Sequence, residues 1–321
     1  MVRAVLARYG TAIAGLVVVA GFALFTPGFA TPANLAIVVK ETAFLGILAL
    51  GFALALVTAE LDLSVAEVAS LAAVVTGALV HGGTDPALAV AAGMAVAAAC
   101  GLGNGVAVTV LHVPSLIATL GMAAIAKGFG FMITQGVAFV GRWPEAFTAL
   151  ARGSLLGLPN LFWWLAAVGL AAWFLLSWTR TGAHLIATGE AEEAARLAGI
   201  RTRRMKRLAL LLAALLAGIT AVLLSSSLSS AAPNMAGDHF LYAIAAVLLG
   251  MTMFSPGRPN VPGTLFAAFT LKALGNGLIL AGAEYYWQDI LLGVIIVLSV
   301  ALSAGALGRA AFVKKLGFRM A

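Results

Sequence analysis

This sequence has few charged residues and a single cysteine. Lysine, arginine, aspartate and glutamate make up 10% of its 321 residues, whereas 62% are hydrophobic and the mean hydropathy is +1.07. Soluble globular proteins carry about 25% charged residues, so the composition excludes a water-soluble fold. An internal disulfide is excluded as well, because Cys100 has no second cysteine to pair with. We expect Cys100 to be a small buried hydrophobic residue.

The sequence also lacks the motifs of common hydrolytic sites. It contains no phosphate-binding G-x-x-x-x-G-K-[ST] loop, no H-E-x-x-H zinc helix and no nucleophile elbow. We therefore predict a protein that is not an enzyme and that binds no metal or cofactor. Carboxylates are missing from the middle of the apolar segments, where an ion-coupled transporter needs them. Energy for active transport then comes from another subunit, with an ion-coupled secondary transporter as the alternative.

Long uncharged apolar segments, separated by proline, glycine or charged residues, make up most of the chain. A helix needs about 20 residues to cross the hydrocarbon core of a membrane. We predict an all-α, polytopic membrane protein in which residues 1–321 form a single transmembrane domain with both ends in the cytoplasm. The ten predicted spans are 11–26, 36–58, 64–81, 87–110, 115–135, 158–179, 207–230, 239–254, 262–282 and 287–306.

The basic residues are distributed unevenly over the connections between these spans. If the N-terminus is cytoplasmic, the inner segments hold most of the 19 lysines and arginines. The outer loops keep Arg142 and Arg152, with Lys40 near that face. This asymmetry is the one that the positive-inside rule describes. The net charge of +7 therefore reflects membrane topology, and we predict no nucleic-acid partner.

Short patterns recur in the two halves of the chain. The tripeptide Gly-Asn-Gly at 103–105 in the fourth span recurs at 275–277 in the ninth. An aspartate precedes each tripeptide by a similar distance, Asp62 in the first half and Asp238 in the second. The fourth and ninth spans cross the membrane in opposite directions. The pattern therefore predicts an inverted-topology repeat, which is typical of transporters that alternate access around a central site.

Few ionisable or capping side chains fall in or beside the apolar segments. The sequence Ser64 to Glu67 is typical of a capping box at the start of the third span, and Asp62 is placed to accept hydrogen bonds from free amides there. We predict a structural role for these three residues, with an ion site as the alternative. Lys127 and Lys272 fall deep within predicted spans, so we expect each to point into the bundle toward carbonyls or a carboxylate. They serve either as contacts between helices or as the lining of a pathway.

The connection at 180–207 is the only strongly charged segment of the sequence. Residues 190–198 are strong helix formers, Gly199 follows as a helix stop, and a basic run comes next. We predict a short exposed helix held just under the membrane, with a small-residue face that suits docking into a groove of another protein. The alternative is an ordinary solvated helix whose basic neighbours meet lipid phosphates. The alanines of the predicted face are Ala194, Ala195 and Ala198.

Several motifs occur along the chain in a characteristic order. They are Leu61-Asp62-Leu63-Ser64-Val65, Ile117-Ala118-Thr119-Leu120-Gly121, Glu193-Ala194-Ala195-Arg196-Leu197-Ala198-Gly199-Ile200, Ala243-Ile244-Ala245-Ala246-Val247, Pro262-Gly263-Thr264 and Asn276-Gly277-Leu278. In this order they resemble the ribose-type ABC importer permeases, a binding-protein-dependent transport family of the bacterial cytoplasmic (inner) membrane. The resemblance implies ten helices per subunit, a second permease subunit in a homo- or heterodimer, two cytoplasmic ATPases and an external sugar-binding protein.

The resemblance also implies roles for particular residues. The residues that match the family's coupling helix, which seats in the ATPase, are Glu193, Ala194, Ala195 and Gly199. The residues that lie near the substrate pathway by analogy are Asn104, Thr119 and Asn276. Apolar helices also use asparagine and threonine as hydrogen-bonding contacts between helices, so both interpretations of these three residues stay open.

The function that the resemblance implies is that of a permease subunit in an importer for a monosaccharide or sugar-like solute. The alternative among importers is a permease for branched-chain amino acids or nucleosides. The chain departs from the family just before the third span, where the family usually has two glycines and this chain has Ala59 and Glu60. Fewer glycines predict less backbone freedom and bulkier surroundings at this turn.

Overall fold

The computed structural model describes residues 2–307, with side chains described for 9–301. This part of the chain is predominantly helical, which confirms the all-α prediction. The helices are α1 (Val2–Phe25), α2 (Pro32–Val57), α3 (Val65–His81), α4 (Pro86–Thr109), α5 (Ser115–Thr134), α6 (Glu145–Arg152), α7 (Asn160–Trp178), α8 (Arg180–Glu190), α9 (Glu192–Leu197), α10 (Thr202–Leu228), α11 (His239–Gly250), α12 (Val261–Leu280) and α13 (Tyr286–Leu307). Short strands β1 (Phe139–Val140), β2 (Ser154–Leu155), β3 (Leu158–Pro159) and β4 (Ser230–Ala231) form the antiparallel pairs β1–β4 and β2–β3.

Each predicted span overlaps one of these helices. Within the described residues, six helices are long and apolar enough to cross a membrane, namely α2, α4, α5, α7, α10 and α12. The shorter apolar stretches are Tyr9–Phe25, Val65–His81, His239–Gly250 and Tyr286–Ala301. Helix α10 begins at Thr202 and not at the predicted position 207, so part of the basic run is helical. The segment after 307, predicted to be cytoplasmic, lies outside the described residues.

Proline and short polar side chains set the starts of several apolar helices. Helix α4 begins at Pro86, whose missing N–H is harmless in a first turn, and the Asp85 carboxylate accepts a hydrogen bond from the Ala87 amide at 2.9 Å. The Asn260 side chain accepts a hydrogen bond from the Gly263 amide at 2.8 Å at the start of α12. Such caps satisfy amides that the helix itself leaves without partners.

Helices α2 and α10 form the centre of the fold. Helix α2 is buried continuously from Thr42 to Val57. Helix α10 packs on α2, α3 and α4, and α2 packs on α11, α12 and α7. Around this centre, α3 contacts α4 and α5, while α11 contacts α12 and α13. The contacts of α3 with α4 and α5 thus resemble those of α11 with α12 and α13.

The crossing of α4 and α10 depends on residues without a large side chain. A Cβ added to Gly101 would lie 2.6 Å from the Ala214 Cβ and 3.0 Å from the Leu210 carbonyl oxygen. A Cβ added to Gly218 would lie 3.0 Å from the Ala97 Cβ. Helices in a membrane associate through such close backbone approaches, because lipid provides no hydrophobic driving force between them.

Large apolar side chains are exposed on the peripheral helices. Examples are Phe25 on α1, Met132 on α5, Leu170 and Phe174 on α7, and Val297 on α13. Soluble monomers rarely expose contiguous apolar surface beyond a few hundred Å². This surface is therefore the one that lipid or another membrane subunit covers.

The long connection between α5 and α7 is fixed to the end of α10. The Ser226 hydroxyl donates to the Phe147 carbonyl at 2.8 Å and accepts from the Ala151 amide at 3.1 Å. The Arg152 Nε donates to the Ser227 carbonyl at 2.8 Å. Strand β1 in this connection pairs with β4, which follows α10 directly. Helix α6 and the end of α10 thus form one packed unit.

Candidate functional site

The charged connection between α7 and α10 folds into the two short helices α8 and α9. Gly199, after α9, has φ +84°, in the left-handed region. The Ile200 amide donates back to the Ala195 carbonyl at 3.0 Å, which is the hydrogen bond of a glycine-terminated helix end. The predicted short helix and its glycine stop are therefore confirmed, although the helix is limited to Glu192–Leu197.

The surface of α9 differs from the predicted small-residue face. Ala194 is exposed, as expected, but Ala195 is only 5% exposed. The expectation that Ala195 belongs to an exposed face is wrong, because successive residues of a helix point in different directions and this one faces the interior. Leu197 is the exposed apolar residue instead, at 81%. Glu193 is also exposed, and its carboxylate lies 2.5 Å from the guanidinium of Arg196.

A buried lysine connects α9 with the turn between α2 and α3. The Lys206 Nζ lies 2.7 Å from Glu192 Oε2 and 2.8 Å from Glu60 Oε1. The side chains of Lys206 and Glu60 are 11% and 4% exposed. Water and salt screen buried ion pairs much less than exposed ones. This cluster therefore holds α9 to the turn more firmly than a surface ion pair would.

Two hydroxyl side chains of α5 hold the turn between α2 and α3. The Leu61 amide donates to Ser115 Oγ at 3.2 Å, and the Leu63 amide donates to Thr119 Oγ1 at 3.1 Å. The Thr119 hydroxyl lies 3.0 Å from the Leu61 carbonyl and 2.8 Å from the Ser115 carbonyl, to which it donates. A segment without helical or sheet partners of its own thus obtains hydrogen bonds away from water.

Asp62, Ser64 and Asn104 form a buried polar cluster at the start of α3. Asp62 Oδ1 accepts from the Ser64 amide at 3.0 Å and from the Ser64 hydroxyl at 2.5 Å, and Asn104 Nδ2 donates to Ser64 Oγ at 2.9 Å. The predicted capping box is wrong. Ser64 makes no side-chain cap bond, because its backbone is already in the right-handed helical region instead of the extended region that a cap residue needs. Within residues 9–301, Glu67 Oε2 has no hydrogen-bond partner.

Burial changes the acidity of Asp62, which lies in the turn outside the helices. Its side chain is fully buried, and loss of solvation raises its pKa from 3.8 to about 6, against the opposing effect of the hydrogen bonds from Ser64. The described residues contain no group of three or more His, Cys, Asp or Glu side chains placed to hold a metal ion.

Asn276 lies on α12 beside the start of α2. Its Nδ2 donates to Asn34 Oδ1 at 2.9 Å, and Asn34 Nδ2 donates to Asn276 Oδ1 at 2.8 Å. This reciprocal amide pair joins the two halves of the chain. Asn104, Thr119 and Asn276 are therefore all engaged in hydrogen bonds between different elements.

The two lysines deep in the predicted spans have different surroundings. Lys272 Nζ lies 3.2 Å from Glu41 Oε2 and 5.2 Å from the centroid of the Tyr242 ring. The expected carboxylate partner of Lys272 is thus confirmed. Lys127 is exposed on the surface of α5, so the expectation that it is buried in the bundle of this chain is wrong, although its charge acts on the Glu67 carboxylate of α3. Helix α5 packs on α3 and α4.

A cavity of about 560 Å³ opens between α8 and the connection from α11 to α12. Its lining includes Val57, Trp173, Ser177, Glu190, Arg258 and Asn260. The Arg258 Nε lies 2.8 Å from Glu190 Oε1, and both side chains are largely exposed. The cavity thus adjoins the α8–α9 segment, and it is not lined by Asn104, Thr119 or Asn276.

Residues 34–300 match the family described as "Branched-chain amino acid transport system / permease component". The chain belongs to this family. The ribose import permease protein RbsC of Escherichia coli (strain K12) is 36% identical to this permease over 291 residues, which cover 90% of this chain and 91% of the relative. RbsC of Bacillus subtilis (strain 168) is 31% identical over 299 residues, 93% of each chain. The L-arabinose ABC transporter permease protein AraH of Azospirillum brasilense is 30% identical over 293 residues, 91% of this chain and 86% of the relative. No solved structure matches the permease.

Membership of this family makes the chain a transport component of the inner membrane and not an enzyme. The apolar surface of the peripheral helices agrees with that location. The buried connection from Glu192 through Lys206 to Glu60 was not predicted from the sequence. A signal was available, however, because Glu60 is an acidic residue beside two apolar segments and so requires a partner if it is buried.

Replacing Thr119 with valine is expected to destabilise the permease by about 2 kcal/mol, because the Leu63 amide would lose the hydroxyl oxygen that accepts its hydrogen bond. The shape of the side chain is nearly conserved, so packing contributes little to the change. The free energy of unfolding in detergent measures the effect. Thr119→Ser is the matched control, because it keeps the hydroxyl; equal stability of the two variants would contradict the prediction.

Proposed function

We propose that this permease is the membrane subunit of an ABC importer that takes up a monosaccharide or sugar-like solute. The observation that carries the proposal is similarity over nearly the whole chain to permeases named for the import of ribose and L-arabinose. The family description names branched-chain amino acids, which makes them the second candidate class of solute. The sugar class is preferred because the RbsC and AraH relatives, which cover 90% or more of this chain at 30% identity or more, are named for sugars.

In the proposed topology, residues 1–321 form one transmembrane domain that crosses the membrane ten times, with both termini in the cytoplasm. The six long apolar helices and the four shorter apolar stretches provide the crossings. The segment α8–α9 then lies on the cytoplasmic face together with most of the basic residues, as the positive-inside rule requires. The connection that contains α6 lies on the outer face.

The helices α2–α5 and α10–α13 form the two halves of an inverted repeat in this proposal. Their contacts support it, because α10 packs on α3 and α4 as α2 packs on α11 and α12. Asn104 and Asn276 lie in the closing turns of α4 and α12, which run in opposite directions in this topology. Two halves related in this way are suited to alternate access around a central path.

The cytoplasmic ATPases dock on α9, and an external binding protein delivers the solute at the opposite face. Helix α9 offers an exposed carboxylate at Glu193, an exposed small residue at Ala194 and an exposed apolar side chain at Leu197. Gly199 lets the chain turn back toward α10, while Ala195 fixes the helix from the inside. Closure of the ATPases on ATP displaces α9 and thereby the membrane helices.

A second permease subunit, identical or different, packs against the exposed face of α5. This face carries Lys127, and a lysine near the centre of a bilayer costs about 3 kcal/mol when it faces lipid. The same helix has open positions at Gly121 and Gly128, where an added Cβ would meet nothing within 4 Å of this chain. A subunit interface or a water-filled path at this surface removes the cost of the exposed lysine.

Uptake into vesicles tests the proposed function. The permease is reconstituted with the ATPase and the binding protein of the same system, and radiolabelled D-ribose, L-arabinose and L-leucine are offered separately. We expect uptake of a sugar that needs all three components and ATP. Uptake that persists without the ATPase would overturn the importer mechanism. Uptake of L-leucine but of neither sugar would assign the solute to the branched-chain amino acids instead.

A further inference from the structure

Two ion-pair links of unequal character join the segment α8–α9 to the rest of the permease. One link joins Glu190, at the end of α8, to Arg258 in the connection between α11 and α12, at 2.8 Å. The other link runs from Glu192 on α9 through Lys206 to Glu60 in the turn between α2 and α3, at 2.7 and 2.8 Å. Each link reaches a different half of the chain.

The exposure of these side chains decides which link is stiff. Arg258 and Glu190 are 65% and 43% exposed, and ion pairs of this kind contribute little, because water solvates both charges when the pair opens. Lys206 and Glu60 are almost completely buried. Opening a buried pair leaves a charge unpaired away from water, which is strongly unfavourable. Glu192 is 43% exposed, but it pairs with a lysine that is only 11% exposed, so a displacement of α9 acts on a Lys206 that stays joined to Glu60.

We propose that Lys206 is a positioning residue of the import cycle, which transmits the displacement of α9, received through Glu192, to the turn between α2 and α3, held through Glu60. The inference rests on the proposed function, since it requires an ATPase that displaces α9. Glu192 lies on α9 and is half-exposed, so it is the member of the cluster that moves first when the ATPase displaces α9. Glu60 is the buried member and moves with the turn.

The turn passes the displacement to α4 and α5. Leu61 and Leu63, which follow Glu60, are hydrogen-bonded to Ser115 and Thr119 at the start of α5. The next polar residues, Asp62 and Ser64, are hydrogen-bonded to each other and to Asn104 of α4. A shift of Glu60 therefore moves a segment that already holds two membrane helices through directional contacts.

Glu192→Gln is the sharpest test, because it removes one charge of the cluster while the buried pair of Lys206 and Glu60 remains intact. The ATPase should still associate, and the permease should still fold. We expect the amount of D-ribose or L-arabinose imported per ATP hydrolysed to fall about tenfold, the scale of a typical coupling between sites. Import and phosphate release are measured in the same vesicles.

Variants of the lysine separate transmission from simple folding. Lys206→Met removes the charge and should show the same loss of import per ATP, whereas Lys206→Arg keeps a cation that can contact two carboxylates and should restore it. The double variant with Glu192→Gln should be no worse than Lys206→Met alone, because both changes break the same connection. Arg258→Met is the matched control, since it removes the cation of the exposed link, and its ratio should stay at the wild-type value.

An unchanged ratio in Glu192→Gln, or losses that add in the double variant, would overturn the inference, and so would an equal loss in Arg258→Met. If Lys206→Met fails to fold, Glu192→Gln alone decides between these results. A wild-type permease that neither binds the ATPase nor imports a sugar would instead refute the proposed function. Copurification of the ATPase with each variant distinguishes the two failures.

Discussion

Replacing Gly189 with alanine is expected to abolish coupled uptake and to destabilise the permease by about 3 kcal/mol, the upper range for overpacking. Gly189 lies near the end of α8, against the end of α2. A Cβ there would overlap the Val57 carbonyl oxygen and lie 3.1 Å from the Ala59 amide nitrogen. Both are backbone atoms, so no side chain can rotate away. Helix α8 must move off α2 instead, which displaces the segment on which we propose that the ATPase docks.

Gly21→Ala on α1 is the matched control for this change. A Cβ added to Gly21 meets nothing within 4 Å, so the same substitution there should leave the stability and the uptake unchanged or slightly improved. Thermal unfolding in detergent and vesicle uptake measure the two quantities. A Gly189→Ala variant with the stability of Gly21→Ala would show that the contact between α8 and α2 is looser than the structure indicates.

The stability of the permease is expected to depend on pH through Asp62. Its pKa is about 6 in the fold, whereas the unfolded carboxyl titrates near its ordinary value of 3.8. The folded state therefore holds the proton more tightly, and stability falls as the pH rises from about 4 to 6. The difference in pKa corresponds to about 3 kcal/mol, all of which is lost above the folded pKa.

Asp62→Asn isolates this contribution from those of other carboxylates. An asparagine oxygen can still accept the hydrogen bonds from the Ser64 amide and hydroxyl, but the side chain no longer titrates. Relative to wild type, Asp62→Asn should therefore gain stability as the pH increases from 4 to 7. Unfolding in detergent over this range measures the gain. The same pH dependence in both proteins would contradict the raised pKa.

The positions of the membrane helices follow from the sequence because their determinants are local. Uncharged apolar length, proline at first turns and glycine after last turns all act within a few residues. The boundary of α10 was missed because Lys206 reads as part of a solvated basic run. The position of the Lys206 side chain depends on its ion pair with Glu60, which is distant in sequence. Contacts of this kind depend on tertiary structure, which a hydropathy pattern does not contain.

The backbone conformation of the turn before α3 also could not be predicted from the sequence pattern. Ala59 has φ +59°, a left-handed conformation that glycine would adopt without steric cost. The expected loss of backbone freedom at this turn is therefore present as steric strain at Ala59. The capping box failed for a related reason, because Ser64 already has a helical backbone conformation and its hydroxyl is turned to Asp62. Hydrogen bonds from α4 and α5, together with the contact between Asp62 and Ser64, hold this turn instead of a capping box.

Helix α10 begins beside the lysine cluster and ends bonded to α6. Its 27 residues, at 1.5 Å each, span about 40 Å, enough to connect the two faces of the membrane. A shift of α10 therefore moves both the lysine cluster at its start and helix α6 at its end. Thermodynamic linkage then makes the effect reciprocal: if ATPase closure favours the position of α10 that receives a loaded binding protein, the binding protein must strengthen ATPase closure by the same factor.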